Sequence, residues 1–466
     1  MTDLRCDVAI LGAGTAGLAA ERSARKHGAG TLLVDDRFAG TTCADVGCMP
    51  SKLLIAAADA AHAVRRAHVF GIDAAPPIVN GAAVMARVQR ERDAFVKDAK
   101  TSYSELPVGV MLEGRARFAD RTTLVLEDGR RITARAIVIA TGSRPLVPDA
   151  FASVKDRVLT NESIFELRDL PRSLAVIGAG PLGLELGQAM ARLGVETVLF
   201  GDGELIGGLK DAAVSEALRA IIAGELPIVL EVKVTGRPEG EGVRLAWNGA
   251  SRYFDHVLVA AGRPPQVKGL ALEKTGLALD DHGTPRFDPH TMQCGDSSIF
   301  LAGDAGNDRP FLHEAAQEGT IAGRNAATYP ETKPGARAVP FTIVFSDPPV
   351  AVVGAPPDAT TVTGRAEYAN QGRTKAFARS GGLAHLYADS KTGRLTGAAI
   401  AAPGAEHYGH LLACAIEHGA TADALLDFPF YHPTYEEGLK PALRSIRAQM
   451  NAPETIDRDD GFIAGF

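Results

Sequence analysis

Cys6-Asp7-Val8-Ala9-Ile10-Leu11-Gly12-Ala13-Gly14-Thr15-Ala16-Gly17 is the stretch that decides the fold. An apolar run of strand character meets glycines spaced G-x-G-x-x-G, and a helix is predicted from Leu18 to His27. A second apolar strand, Thr31-Leu32-Leu33-Val34, then ends in Asp35. Strand, glycine turn, helix and strand together make a dinucleotide-binding βαβ unit. The first glycine permits the tight turn, the second lets backbone approach a pyrophosphate, and the third lets helix pack closely on strand. The helix N-terminus then offers N–H groups and partial positive charge to phosphates.

The design recurs further along. The run Ser173 to Ile177 leads into Gly178-Ala179-Gly180-Pro181-Leu182-Gly183, a helix predicted over 184–193 and a strand over 196–200. A lone glycine fingerprint is weak, because an ordinary glycine turn also produces it. Two copies, each between strand and helix, predict two dinucleotide sites and hence two cofactors. Strand-like segments at 136–142, 257–263 and 299–304 punctuate the remainder. After Pro334-Gly335 the character changes. A strand pair over 341–353 is broken by Pro348-Pro349, and a hairpin joins 382–387 to 395–401 around Lys391-Thr392-Gly393. Helices are predicted near 408–418 and 434–449, so this piece reads as a separate α+β domain.

Composition sets the outer bounds. A chain of 466 residues suggests about three domains, and 46% hydrophobic with 23% charged residues is ordinary for a globular protein with several cores. The net charge of -7, with no basic block, argues against nucleic acid as a partner. Met1 to Arg5 runs straight into the first strand without a signal-peptide pattern, and no apolar run is long enough to span a bilayer. A cytoplasmic protein without membrane contact is expected.

Five cysteines, an odd and sparse count, do not resemble a secreted disulfide framework. Only Cys43 and Cys48 are close in sequence, within Gly40-Thr41-Thr42-Cys43-Ala44-Asp45-Val46-Gly47-Cys48-Met49-Pro50-Ser51-Lys52. A helix is predicted from Leu53 to Ala67, which puts Cys48 at its N-terminal end, where the dipole favours a thiolate. The two sulfurs can meet if the first turn is distorted. Metal ligation or two inert thiols are the alternatives. No second ligand pair stands at zinc-like spacing, which argues against structural zinc, and no metal is assigned.

This segment resembles the redox signature of the pyridine nucleotide-disulfide oxidoreductases, and the landmarks from Asp7 to about Ala448 follow that family's order. The resemblance implies an α/β architecture of two Rossmann-like domains, for FAD and for NAD(P), plus a C-terminal α+β dimerisation domain. The implied boundaries are 1–150 and 265–335 for the FAD domain, 151–264 for the NAD(P) domain and 336–466 for the last. Gly12, Gly14, Gly17, Asp35, Thr42, Lys52, Gly114, Thr141, Gly142 and Asp304 would serve FAD. Gly178, Gly180, Gly183, Glu185 and Gly262 would serve the nicotinamide nucleotide, with Glu185 also pairing Lys52 near the flavin. Cys43 would be the interchange thiol and Cys48 the thiol facing the flavin.

Phe430-Tyr431-His432-Pro433-Thr434-Tyr435-Glu436-Glu437 resembles the family's H-P-T-x-x-E motif. It implies His432 as acid/base, Glu437 as its orienting group, and a homodimer in which His432 serves the partner's site. His313 matches a position that packs near the flavin in relatives and stays outside the catalytic set. Thr41 stands where the family usually has a glycine. Gly201 stands where NAD-preferring members carry Glu, but Asp202 and Glu204 follow without an arginine, which favours NAD(H) over NADP(H). Met49-Pro50-Ser51-Lys52 is closer to the lipoamide and mercuric reductase pattern than to that of glutathione reductases, which have Lys where Ser51 stands, and dihydrolipoamide dehydrogenase is the best single reading. Residues 461–466 hold no adjacent cysteine pair of the kind mercuric reductases carry there. The expected activity is exchange of electrons between a dithiol, or a lipoyl-bearing protein, and NAD(H). Reduction of another disulfide, a quinone or a metal ion is the alternative, and a low-turnover redox sensor or scaffold is the reading from a different class.

Overall fold

The computed structural model describes residues 3–379 and 381–450. The end of the chain at 461–466, read above for cysteines, lies outside the described residues. The chain divides into two compact units.

The first unit comprises Met1–Leu53, Arg87–Leu146 and Gly262–Arg337. Its central strand, Asp3–Leu11, pairs in parallel with Thr31–Asp35 on one side and Arg131–Ile139 on the other, with Val8 opposite both Thr31 and Ala136. Met111–Glu113 extends the sheet beyond Thr31–Asp35. The far edge of Arg131–Ile139 is shared. Its first half takes the antiparallel strand Thr123–Leu126, and its second half takes the parallel strand Ile299–Leu301. Val8, Ala9 and Ile10 are fully buried, as are Ala136 to Ile139. Burial on both faces explains why these strands read as unbroken apolar runs instead of alternating ones.

Val8, Ile10 and Val138 pack with the helices Thr15–Lys26 and Leu312–Thr328, while Ala9, Ile137 and Ile139 pack with Phe118 and Leu124 on the other face. The two helices touch through glycines. A Cβ at Gly319 would lie 2.2 Å from the Ala16 carbonyl oxygen, and one at Gly323 would lie 2.1 Å from that of Ala20.

The second unit comprises Leu54–Ala86, Val147–Ala261 and Ala338–Phe466. A five-stranded parallel sheet is built on Ser173–Ile177, flanked by Glu196–Phe200 and His256–Val259, and an antiparallel meander of three strands spans 235–254. The last part is an antiparallel sheet ordered 341–344, 350–354, 395–401, 383–389, 361–367. Helix Lys440–Gln449 lies so close to strand Thr361–Glu367 that a Cβ at Gly364 would stand 2.0 Å from the Ala442 carbonyl oxygen.

The strands 173–177 and 196–200, the broken strand pair and the hairpin are as expected. Helix starts differ. Pro181–Arg192 and Thr15–Lys26 each begin three residues before the predicted start, and Cys48–Arg66 begins five before it. Pro50 falls in that helix's first turn, where a missing N–H costs nothing because the first four N–H groups have no helical partner. The predicted helix over 434–449 is instead a 3-10 turn, Glu436–Leu439, followed by Lys440–Gln449. The long helix Gly81–Ser104, the meander and strand Thr361–Glu367 were not anticipated.

Candidate active site

Both glycine turns have the geometry their spacing demands. Gly12 and Gly178 have φ of +101° and +114°, a region that disfavours side chains. Cβ atoms at Gly17 and Gly183 would lie 1.8 and 1.9 Å from the carbonyl oxygens of Gly12 and Gly178, so these are the glycines of close helix packing. Gly14 and Gly180 differ. Their φ values are ordinary, at -74° and -73°, and an added Cβ would meet no protein atom within 4 Å. Neither backbone strain nor packing asks for glycine at these two positions, and each leaves open space at a helix N-terminus.

In the first unit the turn borders a cavity of about 900 Å³ lined by Gly12, Asp35, Gly114, Thr141 and Arg144. Asp35 Oδ2 accepts from the Ala13 amide (2.9 Å), and Oδ1 accepts from the amides of Arg37 and Phe38. The buried Thr141 Oγ1 has no hydrogen-bond partner among the described residues. A cradle that a Cβ would fill and an orphaned buried hydroxyl both fit a dinucleotide such as FAD. A second cavity of about 150 Å³ is lined by Gly14, Thr42, Cys43, Cys48, Gly142 and Asp304.

Cys43 sits on the short helix Thr42–Asp45, and Cys48 opens helix Cys48–Arg66. Thr41 caps the short helix, its Oγ1 accepting from the Ala44 amide at 3.3 Å. That cap gives a physical reason for threonine where glycine was expected: its extended backbone (φ -100°, ψ 148°) suits any residue. Both cysteines are thiols. A hydrogen bond to Cys48, then burial, then the neighbouring Cys48 charge push the Cys43 thiol far up, and Lys52 acts in the opposite sense. Lys52 Nζ also donates to Ser51 Oγ (3.3 Å), which donates to the Cys48 carbonyl (3.0 Å). Two thiols in hydrogen-bond contact need little motion to close into a disulfide when two electrons and two protons leave.

Asp304 accepts from Ser143 Oγ at 2.7 Å, and Arg263 donates to the Ser143 carbonyl at 3.0 Å. Gly262, assigned from the sequence to the nicotinamide nucleotide, lies in the first unit beside this network. Sequence reasoning missed Ser143, although it directly follows Thr141-Gly142. It also missed Tyr103, whose hydroxyl donates to the Ala13 carbonyl at 3.0 Å beneath the glycine turn. His313 is exposed and stacks on Phe311. Of the other cysteines, burial pushes Cys6 and Cys294 up to about 12 each, while Cys414 is exposed.

In the second unit Glu185 Oε1 accepts from the Phe345 amide at 2.8 Å. A Cβ at Gly201 would lie 2.8 Å from a Leu230 methyl and 3.0 Å from the Ala179 Cβ, so a side chain there would need Leu230 and Ala179 to give way. Asp202 and Glu204 are exposed just beyond. His432 Nδ1 stands 3.1 Å from both carboxylate oxygens of Glu437, which is buried and also accepts from the Thr434 amide. The carboxylate contact at Nδ1 fixes the orientation of the imidazole ring.

Two dinucleotide-binding folds and a close dithiol define the class, a nucleotide-dependent disulfide oxidoreductase. The chain belongs to the pyridine nucleotide-disulphide oxidoreductase family, which its residues 6–319 match, while residues 340–443 match that family's dimerisation domain. The family binds FAD and a pyridine nucleotide, and the dimerisation domain points to a homodimer. A mercuric reductase from Shigella flexneri is 33% identical over 95% of this chain and 81% of its own length. A dihydrolipoyl dehydrogenase from Geobacillus stearothermophilus is 30% identical over 93% of this chain and 94% of its own. The fold matches the HOCl-induced flavoprotein disulfide reductase RclA from Escherichia coli, with TM-score 0.79 and 21% identity over 93% of this chain and 98% of that one. No helix among the described residues is long and apolar enough to cross a membrane.

Proposed function

We propose that the chain is an FAD-dependent oxidoreductase that exchanges electrons between a dithiol of the dihydrolipoamide class and NAD(H). The observation that carries this reading is the hydrogen-bonded contact of Cys43 and Cys48 at the wall of a cavity shared with Gly14, Gly142 and Asp304. Bound along that cradle, FAD supplies a two-electron acceptor beside the cysteines. In the dithiol direction, the partner's His432 takes a substrate thiol proton at Nε2. The substrate thiolate attacks Cys43 Sγ of the Cys43–Cys48 disulfide, the S–S bond breaks, and Cys48 leaves as thiolate. The second substrate thiol then displaces Cys43 and closes the substrate disulfide. The electron pair is then held on the reduced Cys43 and Cys48, beside the cradle where a bound FAD would accept it on behalf of NAD+. Gly201, Asp202 and Glu204, with no arginine nearby, support NAD(H), since the two acids repel a 2′-phosphate. A cytoplasmic location is part of the same reading.

A second reading, reduction of a metal ion, draws support from the 33% identity to the Shigella mercuric reductase. Rates with lipoamide, glutathione disulfide, a quinone and Hg(II), each with NADH and NADPH, decide between them. The highest kcat/KM with lipoamide and NADH is expected. A clear preference for Hg(II) or the quinone would overturn the substrate assignment. NADH that fails to bleach the flavin without oxygen would instead leave a low-turnover sensor or scaffold. Cys48→Ser is expected to abolish lipoamide turnover while FAD stays bound, and full turnover in that variant would remove the cysteines from the mechanism.

A further inference from the structure

One buried cluster of ionisable groups has no part in the chemistry above. Glu318, on helix Leu312–Thr328, is 1% exposed, yet its Oε2 accepts from the Gly303 amide at 2.8 Å. Gly303 and its neighbour Asp304 both line the smaller cavity with the cysteines. Gly303 has φ +69°, and a Cβ there would lie 2.8 Å from the Ala16 Cβ, so the turn is tight and close to the first glycine helix. The other oxygen of Glu318 accepts from Arg337 at 2.6 Å. Arg337 also meets Glu314 (2.8 Å) and Asp308 (2.6 Å), and Arg309 meets Glu314 (3.0 Å).

We propose that Glu318 is a positioning residue that ties the Gly303–Asp304 turn, and with it the flavin site, to the Arg337 ion-pair cluster. This rests on the reading that the cavity takes FAD. The next residue of the turn, Asp304, accepts from the Ser143 hydroxyl through its side chain. Glu318 therefore fixes the main chain of the turn, and Ser143 fixes its side chain.

The tie carries a charge that can change. Asp308, Glu314 and Glu318 bring three negative charges against two positive ones on Arg309 and Arg337, an excess of one when all are ionised. Helix Thr15–Lys26 brings Ala16 against this region, and Asp304 is engaged by Ser143. Burial is the largest influence on Glu318; Arg337 and the Gly303 amide oppose it, Asp308 and Glu314 add to it, and the carboxyl is pushed up to about 7. Below that pH Glu318 holds a proton and the cluster is balanced. Above it, a negative charge stands behind the turn.

Glu318→Gln keeps an acceptor for the Gly303 amide and loses the charge; Glu318→Ala loses both. With apoprotein and FAD as the probe, Glu318→Ala is expected to weaken FAD binding about tenfold, the scale of one lost charge-assisted hydrogen bond, and Glu318→Gln to restore most of it. In the holoenzyme, the flavin midpoint potential of wild type is expected to fall increasingly below that of Glu318→Gln as pH rises through about 7. Equal FAD affinity in all three proteins, or a potential gap that does not change with pH, would overturn the inference. Should Glu318→Ala fail to fold, the pH dependence of Glu318→Gln decides alone. Wild-type protein that takes up no FAD would overturn the cofactor site as well, and so separates the two failures.

Discussion

Gly12 and Gly14 stand two residues apart and are glycine for unrelated reasons, which makes them a sharp test of the cofactor site. Alanine at 12 would place its Cβ 2.3 Å from the Ala140 carbonyl oxygen at a φ of +101°, so Gly12→Ala should destabilise even the apoprotein, by about 2 kcal/mol or more. Gly14→Ala meets nothing, so apoprotein stability should stay within about 0.5 kcal/mol of wild type while FAD affinity drops at least about tenfold. Thermal melts of both apoproteins and FAD titrations check this, and a Gly14→Ala protein with unchanged FAD affinity would remove the cradle. At the other end of the chemistry, Glu437→Ala removes the carboxylate facing His432 Nδ1. A fall in lipoamide turnover of about tenfold to a hundredfold, with an unchanged flavin spectrum, is the expected result in steady-state assays. The glycines were legible because their spacing is itself the signal, whereas the histidine motif was legible only through its resemblance to a family motif. Tyr103 and Ser143 were not, since what matters is where each hydroxyl lands after folding: Ala13 is 90 residues from Tyr103, and Asp304 is 161 from Ser143.

At the scale of elements, the sequence revealed strands buried on both faces and failed where a helix is mostly wet. Gly81–Ser104 buries only Met85, Val88, Arg92 and Tyr103, so its apolar stripe is thin, and its one clear signal is Asn80, whose side chain caps the Ala83 amide. The ion-pair network of the second unit was equally hidden. Arg192, 4% exposed at the end of helix Pro181–Arg192, bonds Asp59, Glu225 and Asp347, which lie 133, 33 and 155 residues away. Gln188 adds two hydrogen bonds to the main chain of Asp347, so the network holds the loop before strand Val350–Gly354 to this helix. Arg192→Ala strands carboxylates that are themselves partly exposed, and a loss of about 2 to 3 kcal/mol is expected at neutral pH. Burial acts to raise the Asp347 carboxyl, but Arg192 and Arg379 overcome it and hold it below the usual carboxylate range. Its stabilising contribution is thus present above about pH 4, the unfolded value, and is lost as pH falls through the depressed folded value. Denaturant melts should show the gap between wild type and Arg192→Ala narrowing below about pH 4. A gap that widens in acid would contradict the assignment.

For the whole molecule, one chain supplies the dithiol and, in the proposed reading, its partner supplies the base. Cys43 and Cys48 belong to the first unit, and His432 and Glu437 to the second. The family's dimerisation domain at 340–443 contains the histidine and its carboxylate. Sequence order says nothing about which copy of His432 serves which pair of cysteines, because connectivity allows either. Complementation resolves it. Cys48→Ser and His432→Ala homodimers should each be nearly inactive toward lipoamide. Unfolded together in equal amounts and refolded, about half of the dimers would be mixed. In a mixed dimer, the cysteines of the His432→Ala chain face the intact histidine of the Cys48→Ser chain, and the other site carries both lesions. Activity should therefore recover to about a quarter of wild type if the histidine acts across the dimer. If it acts within its own chain, every site in the mixture keeps one lesion and activity stays at the level of the single variants.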